Sequence, residues 1–402
     1  MSAVARDYSV YRTAEQQQIL FGVDALTGLA DLVGELAVRR PLVVTSPSVA
    51  TRTSVLDRVR KALPTSAEPA AFTDSREHTP IATVVDAYEL ARAHGADGII
   101  GVGGGSAMDT AKGVAIALAA GSPDISPYVG SLQRHGKNLR YTDSVDASVP
   151  VLQIPTTLSA AEATQQAGIT LASGIKEQFY HPAIQASGII LDPALTVETP
   201  IHLWLSTGIK ALDHAVEVAY SRFSNDVAQA LALQTIRLVA TCLPRSRDEP
   251  QDLLQRARLQ VGAWMVLHGS LATSCGVGLD HALVHRLGGY YGIPHGIATC
   301  VTLPYAMEAN RPAATTALAD IAHWGFGVEF GTSNDIAAQA AISRVRGLIA
   351  SLGMPDRLRQ WVPDPATMDH LAPLVLADTA MAGNPRRDLT SGDVVQLLHR
   401  AW

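Results

Sequence analysis

Three consecutive glycines follow an apolar stretch, and this arrangement restricts the possible folds more than any other feature of the sequence. Asp97–Val102 has the composition of a buried strand, Gly103–Gly105 follows it, and the run from Gly103 to Lys112 is predicted to open a helix that continues to about Ala120. Glycine has no β-carbon, so backbone N–H groups can approach a pyrophosphate, and the positive end of the helix dipole favours the same anion. The run matches neither GxGxxG nor the GK[ST] ending of a P-loop. We predict a phosphate site, with an ordinary strand-to-helix turn as the alternative.

The segments before this strand alternate between two patterns. Pro41–Ser46 and Pro69–Thr73 are apolar and typical of strands, whereas Val49–Leu63 and the stretch from Thr79 to His94, capped by Thr79, are typical of helices. Strands alternating with helices predict a parallel sheet that binds ligands at the carboxyl ends of its strands. The glycine run therefore lies where a ligand is expected.

A second turn is predicted at the same edge of the sheet. The strand Val149–Ile154 leads into Pro155–Glu162, which is rich in hydroxyl groups and suits a polar ligand. An equally good interpretation is an ordinary helix cap, with Ser159 capping and Glu162 completing a capping box.

The pattern changes at about Thr196. Before it, Gly121–Ser148 is predicted to be a loop, and Ala167–Leu171 is predicted to pair with Ser187–Leu191 as strands. After it, helical periodicity predominates, with long helices predicted over 226–243, 253–271 and 334–352. A chain of 402 residues exceeds the size at which single cores stop growing. We therefore predict an α/β domain over 1–195 and an all-α domain over 196–402.

The helical half contains a dense group of histidines. His281 and His285 are four residues apart, so they share one face of a helix that we expect to stop at Gly288–Gly289, and His295 comes from a separate turn. Neutral imidazoles that converge in this way form metal or proton-transfer sites.

An earlier helix carries a polar stripe of Lys210, His214 and Glu217. Taken alone, such a stripe is more often a solvated face than part of a site.

Composition excludes several classes of partner. A net charge of −6 and a pI near 6.1 disfavour nucleic acid and anionic membranes. The N-terminal residues lack the apolar region of a signal peptide, and no uncharged apolar run reaches eighteen residues. Three widely spaced cysteines, without a CxxC motif, suggest buried thiols in a reducing compartment. A cytoplasmic enzyme with a small-molecule substrate is expected.

Together these segments resemble the iron-containing, group III alcohol dehydrogenase family over almost the whole chain. The run from Gly103 to Lys112 is similar to its nicotinamide-dinucleotide motif, and Pro155–Glu162 is similar to its second cofactor-facing turn. The resemblance implies a Rossmann-like domain and an all-α domain in a dehydroquinate synthase-like architecture, with a catalytic cleft between them. It also implies NADH or NADPH as cofactor and a homodimer.

Ten residues are expected to bind the cofactor. Ser46 is expected from its position after the first strand, and the resemblance adds Gly103, Gly104, Gly105, Ser106, Asp109, Lys112, Thr156, Thr157 and Leu158. Ser46 stands where an acidic residue would accept bonds from the adenosine ribose and repel a 2′-phosphate. We therefore expect NADPH to be tolerated as well as NADH.

The family's metal site uses one aspartate and three histidines, and the resemblance places Lys210 at the aspartate position, four residues before His214. An ammonium cannot coordinate while protonated, and it repels a divalent cation. This substitution resembles the maleylacetate reductase branch, whose members work without metal and serve the catabolism of aromatic compounds. If an ion binds nevertheless, His214, His281 and His295 are its expected ligands.

The resemblance therefore implies a metal-independent, NAD(P)H-dependent reductase acting on a small anionic enone. Lys210, His214, His281, His285 and His295 are its expected catalytic residues, with Lys210 binding a carboxylate and His285 donating a proton. The alternatives are a metal-dependent alcohol dehydrogenase, a biosynthetic member of the family with a larger substrate, and a binding module without catalysis.

Overall fold

A parallel sheet lies in the N-terminal half of the chain. The computed structural model describes residues 17–129, 132–135, 138–141, 149–174, 176–181, 184–272 and 275–402. The strands of the main sheet are β1 (Gln18–Phe21), β2 (Pro41–Val44), β3 (Ala70–Phe72), β4 (Gly98–Gly103), β7 (Val151–Pro155) and β10 (Gly188–Leu191). They are all parallel, in the order β1-β10-β7-β4-β2-β3. The α/β class predicted for this half is confirmed.

Helices cover both faces of this sheet, and the alternation of side chains along β2 shows why. Leu42 and Val44 belong to one buried apolar cluster, whereas Val43 between them belongs to another on the opposite face. The helices of this half are α1 (Leu29–Glu35), α2 (Pro47–Arg52), α3 (Val55–Ala62), α4 (Ile81–His94) and α5 (Gly105–Ala120).

Two helix predictions in this half are wrong in detail. The segment from Val49 to Leu63 forms two short helices rather than one, with Thr53 in an extended conformation between them. Thr79 does not cap α4, because the helix begins at Ile81 without a side-chain cap and Thr79 itself has a φ of +50°.

The pairing predicted between Ala167–Leu171 and Ser187–Leu191 is wrong. Strand β8 (Gln166–Thr170) pairs instead with β9 (Lys176–Tyr180) in a separate antiparallel hairpin, whereas β10 lies between β1 and β7 in the main sheet. All four residues of β10 are buried, as a strand inside a covered parallel sheet requires. The mostly polar sequence of β9 carries no such apolar signal.

The predicted loop over Gly121–Ser148 contains structure where it is described. A short 3₁₀ turn occupies Ser126–Tyr128, and β5 (Leu132–His135) pairs with β6 (Asn138–Tyr141) as an antiparallel hairpin. Three parts of the predicted loop, at 130–131, 136–137 and 142–148, lie outside the described residues.

From residue 201 onward the described chain is helical. Its helices are α6 (Ile201–Tyr220), α7 (Asp226–Asp248), α8 (Leu253–Ala272), α9 (Leu279–Tyr291), α10 (His295–Asp320), α11 (Asn334–Ser351), α12 (Leu371–Leu376) and α13 (Ser391–Ala401). The three long helices predicted here are confirmed to within a few residues. The helix α6 packs against α7, α8 and α10, so it forms the centre of this half.

The helix α7 is long and apolar enough to cross a membrane by composition alone. It packs against both α6 and α8. The cysteines Cys242, Cys275 and Cys300 are buried thiols, as predicted.

Candidate functional site

The glycine run lies at the carboxyl end of β4 and at the start of α5. Gly103 has a φ of +132°, a conformation that residues with a β-carbon rarely adopt. Gly104 is different: its backbone is extended, and a β-carbon there would meet only the Thr157 side chain, at an ordinary 3.4 Å. Because neither backbone nor packing requires glycine at 104, its absence of a side chain is consistent with close approach of a ligand.

The second turn lies beside the glycine run, as predicted. The backbone N–H of Thr156 donates to the carbonyl of Gly103 at 2.8 Å. A β-carbon on Gly105 would lie 3.3 Å from the Ser159 hydroxyl. On the other side of β4, the Thr45 hydroxyl donates to the carbonyl of Val102 at 2.8 Å, so the strand end that carries Ser46 borders the same edge.

The capping interpretation of this turn is wrong. Ser159 makes no cap bond, Ala160 has a φ of +56°, and Ala161–Ala163 forms only a 3₁₀ turn without a side-chain cap. Leu158 is buried, and its backbone N–H donates to the Thr207 hydroxyl of α6 at 3.2 Å. The turn therefore connects the sheet to the helix that carries Lys210 and His214.

Lys112 is fully buried beneath this turn. Its ammonium donates to the carbonyls of Ala161 and Gln166, at 2.5 and 2.8 Å, and to the Thr164 hydroxyl at 2.9 Å. Burial lowers its pKa to about 8. These bonds use all three N–H groups, so a direct contact between Lys112 and a dinucleotide would have to break one of them. Its neighbour Asp109 accepts the backbone N–H of Gly168 at 3.2 Å.

Three helices bring the four predicted histidines together. His214 comes from α6, His281 and His285 from α9, and His295 from the first residue of α10. The rings of His214 and His281 stack with centroids 4.8 Å apart, and the rings of His281 and His295 are 5.4 Å apart. The His285 ring lies 6.3 Å from that of His281 and 6.1 Å from that of His295.

Local features of the sequence place these helices, though not always as predicted. The helix α9 continues through Gly288–Gly289 and ends at Tyr291, because Gly292 adopts the left-handed conformation that terminates it. A β-carbon on Gly296 would lie 2.6 Å from the backbone oxygen of Ser206 in α6. The glycine at 296 is therefore explained by the close packing of α10 against α6, not by the approach of a ligand. This packing places His295 beside the other histidines.

Behind His281 lies a group of buried carboxyl side chains. Glu217 accepts a hydrogen bond from Nδ1 of His281 at 2.8 Å and from the backbone N–H groups of Gly278 and Asp280, each at 2.7 Å. An oxygen of Asp213 lies 3.0 Å from the same His281 nitrogen. Burial, with repulsion among the three acids, raises the pKa values of Asp213 and Asp280 well above their ordinary range. These two side chains are therefore protonated or share a proton.

The alternative that Lys210, His214 and Glu217 form a solvated face is excluded, because His214 and Glu217 are only 4% and 0% exposed. Lys210 is partly buried, and its ammonium has no hydrogen-bond partner among the described residues. Burial lowers its pKa, whereas the charges of Asp109, Asp213 and Glu162 raise it. Lys210 thus presents an unpaired cation next to the histidines.

The side chains that could bind a metal ion here differ from the one aspartate and three histidines of the family's metal site. Asp213, His281 and His295 do place ligand atoms within 4.8 Å of one another. However, the nearest Asp213 oxygen faces Nδ1 of His281, and Glu217 already accepts a hydrogen bond from that nitrogen. A nitrogen that donates its proton to a carboxylate cannot coordinate an ion at the same time, so an ion would have to bind His281 through Nε2 rather than through the nitrogen that faces Asp213. The ammonium at position 210 also opposes a cation beside His214.

The pKa values of three histidines are lowered. Burial is the largest cause for His214, His281 and His295, and the charge of Lys210 lowers all three further. These imidazoles are therefore neutral near pH 7, so Lys210 is the partly buried cation beside them.

Sequence reasoning did not identify Glu162 and Asp378 as residues of the site. Glu162 is 2% exposed, one of its carboxyl oxygens has no partner among the described residues, and burial raises its pKa to about 7. Asp378 lies 3.3 Å from Nδ1 of His285, although 93 residues separate them. The turn that follows Pro155 was the available signal for Glu162, and no local signal marks Asp378.

The comparisons with known proteins agree with this geometry. The family model described as "Iron-containing alcohol dehydrogenase" matches residues 16–193, and that of the C-terminal part of the "Fe-containing alcohol dehydrogenase family" matches residues 204–402. A maleylacetate reductase of Rhizobium sp. (strain MTP-10005) is 32% identical over 313 residues, which is 78% of this chain and 79% of the relative.

Solved structures give the same result. A 1,3-propanediol oxidoreductase superimposes with a TM-score of 0.89 at 27% identity, covering 98% of this chain and all of that one. The structure of the maleylacetate reductase from the same Rhizobium strain gives a TM-score of 0.77 at 28% identity, covering 99% of both chains. The protein described here therefore belongs to the iron-containing alcohol dehydrogenase family and is an NAD(P)-dependent oxidoreductase.

Proposed function

We propose that this enzyme is a metal-independent, NAD(P)H-dependent reductase of an acidic enone such as maleylacetate, which it converts to 3-oxoadipate. The observation that carries the proposal is Lys210, a cation without a hydrogen-bond partner in the described chain, next to neutral histidines. The similarity to a maleylacetate reductase supports the choice of substrate. A cytoplasmic homodimer that recognises no partner beyond its small anionic substrate completes the proposal.

The electrostatics of the site suit an anion better than an uncharged alcohol. An unpaired ammonium in a partly buried position is costly unless a ligand or a neighbouring acid compensates it. The carboxyl groups of Asp109, Asp213 and Glu162 influence Lys210 electrostatically. Among the described residues, however, no carboxyl oxygen lies within 4 Å of its ammonium to form an ion pair. A substrate carboxylate would supply the missing charge-assisted hydrogen bond.

The chemistry that follows uses groups of this chain. Bound NAD(P)H would supply a hydride to the carbon–carbon double bond, and negative charge would then develop on the conjugated ketone oxygen. Lys210 holds a substrate carboxylate, and its positive charge also stabilises the developing enolate, as in an oxyanion hole. His285 donates the proton that completes the reduction, since it is more exposed than His281 and lies outside the buried group.

The decisive experiment is kinetic analysis of Lys210→Ala with maleylacetate. Loss of a charge-assisted hydrogen bond costs about 1.5–3 kcal/mol, so we expect KM to rise about 10- to 100-fold with little change in the Kd of NADH. Lys210→Arg retains the charge and should recover part of the loss. Lys61→Ala, which removes an exposed lysine of α3, serves as the matched control and should change neither quantity.

A wild-type enzyme that does not reduce maleylacetate, or a Lys210→Ala variant with unchanged KM, would contradict the proposal. Lys210→Asp separates the alternatives further. For a dicarboxylate it should be worse than Lys210→Ala because it adds repulsion, whereas it restores the aspartate of the family's metal site.

A further inference from the structure

We propose that Asp378 is a positioning residue for the reaction, which orients His285 so that its Nε2 faces the cleft and donates the proton. This inference rests on the proposed role of His285 as proton donor. It assigns a function to a residue that lies far from His285 in sequence and outside every motif recognised in the chain.

The first support is the geometry of the pair. The carboxyl oxygens of Asp378 lie 3.3 and 3.4 Å from Nδ1 of His285, so this nitrogen carries the proton that points at the acid. The two ring nitrogens point in divergent directions, so Nε2 is directed away from Asp378. The rings of His281 and His295 stand edge-on to His285, at 6.3 and 6.1 Å.

The second support is the rigidity of Asp378. Its side chain is 5% exposed, accepts the backbone N–H of Ala380 at 3.0 Å, and pairs with Arg286 at 2.5 Å. It therefore caps the 3₁₀ turn Thr379–Gly383 and cannot rotate without losing these bonds. A carboxylate held in this way can fix the orientation of an imidazole, as in a catalytic triad.

The third support is the contrast with His281. Glu217 holds Nδ1 of His281 in a fully buried setting, whereas His285 is 25% exposed at its side chain and can exchange protons with solvent. In the proposed step, a proton that solvent delivers to Nε2 of His285 is passed on: the Nε2–H bond breaks and its electron pair remains on Nε2. The proton passes to the enolate formed by hydride addition, Nδ1–H stays bonded to Asp378, and solvent returns a proton to Nε2.

The test compares Asp378→Asn with wild type in the full-length enzyme. Asparagine preserves the shape and the capping oxygen but removes the charge. We expect kcat for maleylacetate to fall about 10- to 100-fold, with KM and the Kd of NADH within twofold of wild type. Asp364→Asn is the matched control: Asp364 caps the 3₁₀ turn Pro365–Met368 in the same way, by accepting the backbone N–H of Ala366 at 3.0 Å, but lies outside the candidate site, so kcat should remain near that of wild type.

A double-mutant cycle with His285→Asn separates positioning from a purely structural role. If Asp378 acts through His285, Asp378→Asn should have little further effect on kcat when His285 is already asparagine. Additive losses, or an equal loss in Asp364→Asn, would overturn the inference.

A measurement without substrate keeps the inference distinct from the proposed function. In histidine-¹⁵N-labelled enzyme, the signal of His285, assigned through His285→Asn, should show a proton on Nδ1, and Asp378→Asn should shift it. An unchanged signal overturns the positioning role. A wild-type enzyme inactive on maleylacetate, with the expected nitrogen signal, contradicts the proposed substrate alone.

Discussion

At the scale of single residues, the site contains polar groups whose hydrogen-bonding capacity is not fully used within the described chain. Lys210 has no hydrogen-bond partner among the described residues, and Glu162 keeps one carboxyl oxygen without a partner in the same part of the chain. Glu162 lies in the turn that follows β7. This turn is hydrogen-bonded to Lys112 of α5 and to Thr207 of α6. Such groups lower stability, and they are retained where a reaction uses them.

Glu162 leads to a prediction about stability and pH. Its pKa is about 7 in the folded enzyme against an ordinary 4.5, so the folded state retains the proton that the unfolded state has lost. The contribution of Glu162 to the stability of the folded enzyme is complete below pH 4.5 and is lost as the pH rises through 7. The glutamine of Glu162→Gln cannot ionise, so this variant does not lose stability as the pH rises. The difference in unfolding free energy between the variant and wild type should therefore be about 3 kcal/mol larger, in favour of the variant, above pH 7 than at pH 4.5.

Denaturant unfolding of both proteins at several pH values measures this difference. The control is Glu329→Gln, which changes an exposed glutamate and should leave the pH dependence unaltered. A difference between Glu162→Gln and wild type that is constant with pH would show that folding does not raise the pKa of Glu162.

At the scale of elements, the site is made by helices that approach closely at small residues. The helix α10 delivers His295 because Gly296 lies against the backbone of α6 at Ser206. The helix α9 delivers His281 and His285 on one face, one turn apart, and Gly278 at its start donates to Glu217 of α6. Small changes in helix spacing should therefore change the site directly.

Gly296→Ala tests this packing. Its β-carbon would meet a backbone oxygen at 2.6 Å, so the helices must separate, and we expect a loss of about 1–3 kcal/mol of stability together with lower kcat. Gly347→Ala in α11 is the matched control, because a β-carbon there meets nothing within 4 Å and should be neutral or slightly stabilising. Thermal unfolding and kinetics of both variants measure the effect; equal behaviour of the two would disprove the proposed packing.

At the scale of the whole molecule, the sheet contributes the edge that carries the glycine run, and the helical half contributes Lys210 and the histidines. The turn after β7 joins these parts, because it bonds to Gly103 on one side and to Thr207 of α6 on the other. A cofactor at the sheet edge and an anion at Lys210 would therefore meet near this turn.

The metal content of the whole enzyme is the corresponding prediction. A +1 and a +2 charge about 5 Å apart repel each other by roughly 6–7 kcal/mol at an effective dielectric near 20, which offsets much of the affinity of three imidazoles. We expect purified enzyme to hold no stoichiometric transition metal and to keep its activity with a chelator. Elemental analysis checks this, with Lys210→Asp as the comparison. Stoichiometric metal, with activity lost to a chelator and restored by added ion, would favour the metal-dependent alcohol dehydrogenase.

The sequence by itself determined the parts of this protein that depend on local pattern. Alternating strands and helices specified the α/β half, helical periodicity specified the other half, and the glycine run marked one edge of the sheet. The four histidines and Lys210 were also visible, because helical spacing places residues four apart on the same face.

Only the tertiary structure decided which groups stand beside them. Glu217 meets His281 across 64 residues of sequence, Asp378 meets His285 across 93, and Gly296 meets Ser206 of another helix. The strand β10 joined the main sheet rather than β8 for the same reason. Such contacts arise from packing between distant segments, which has no local period, so neither spacing nor propensity can reveal them.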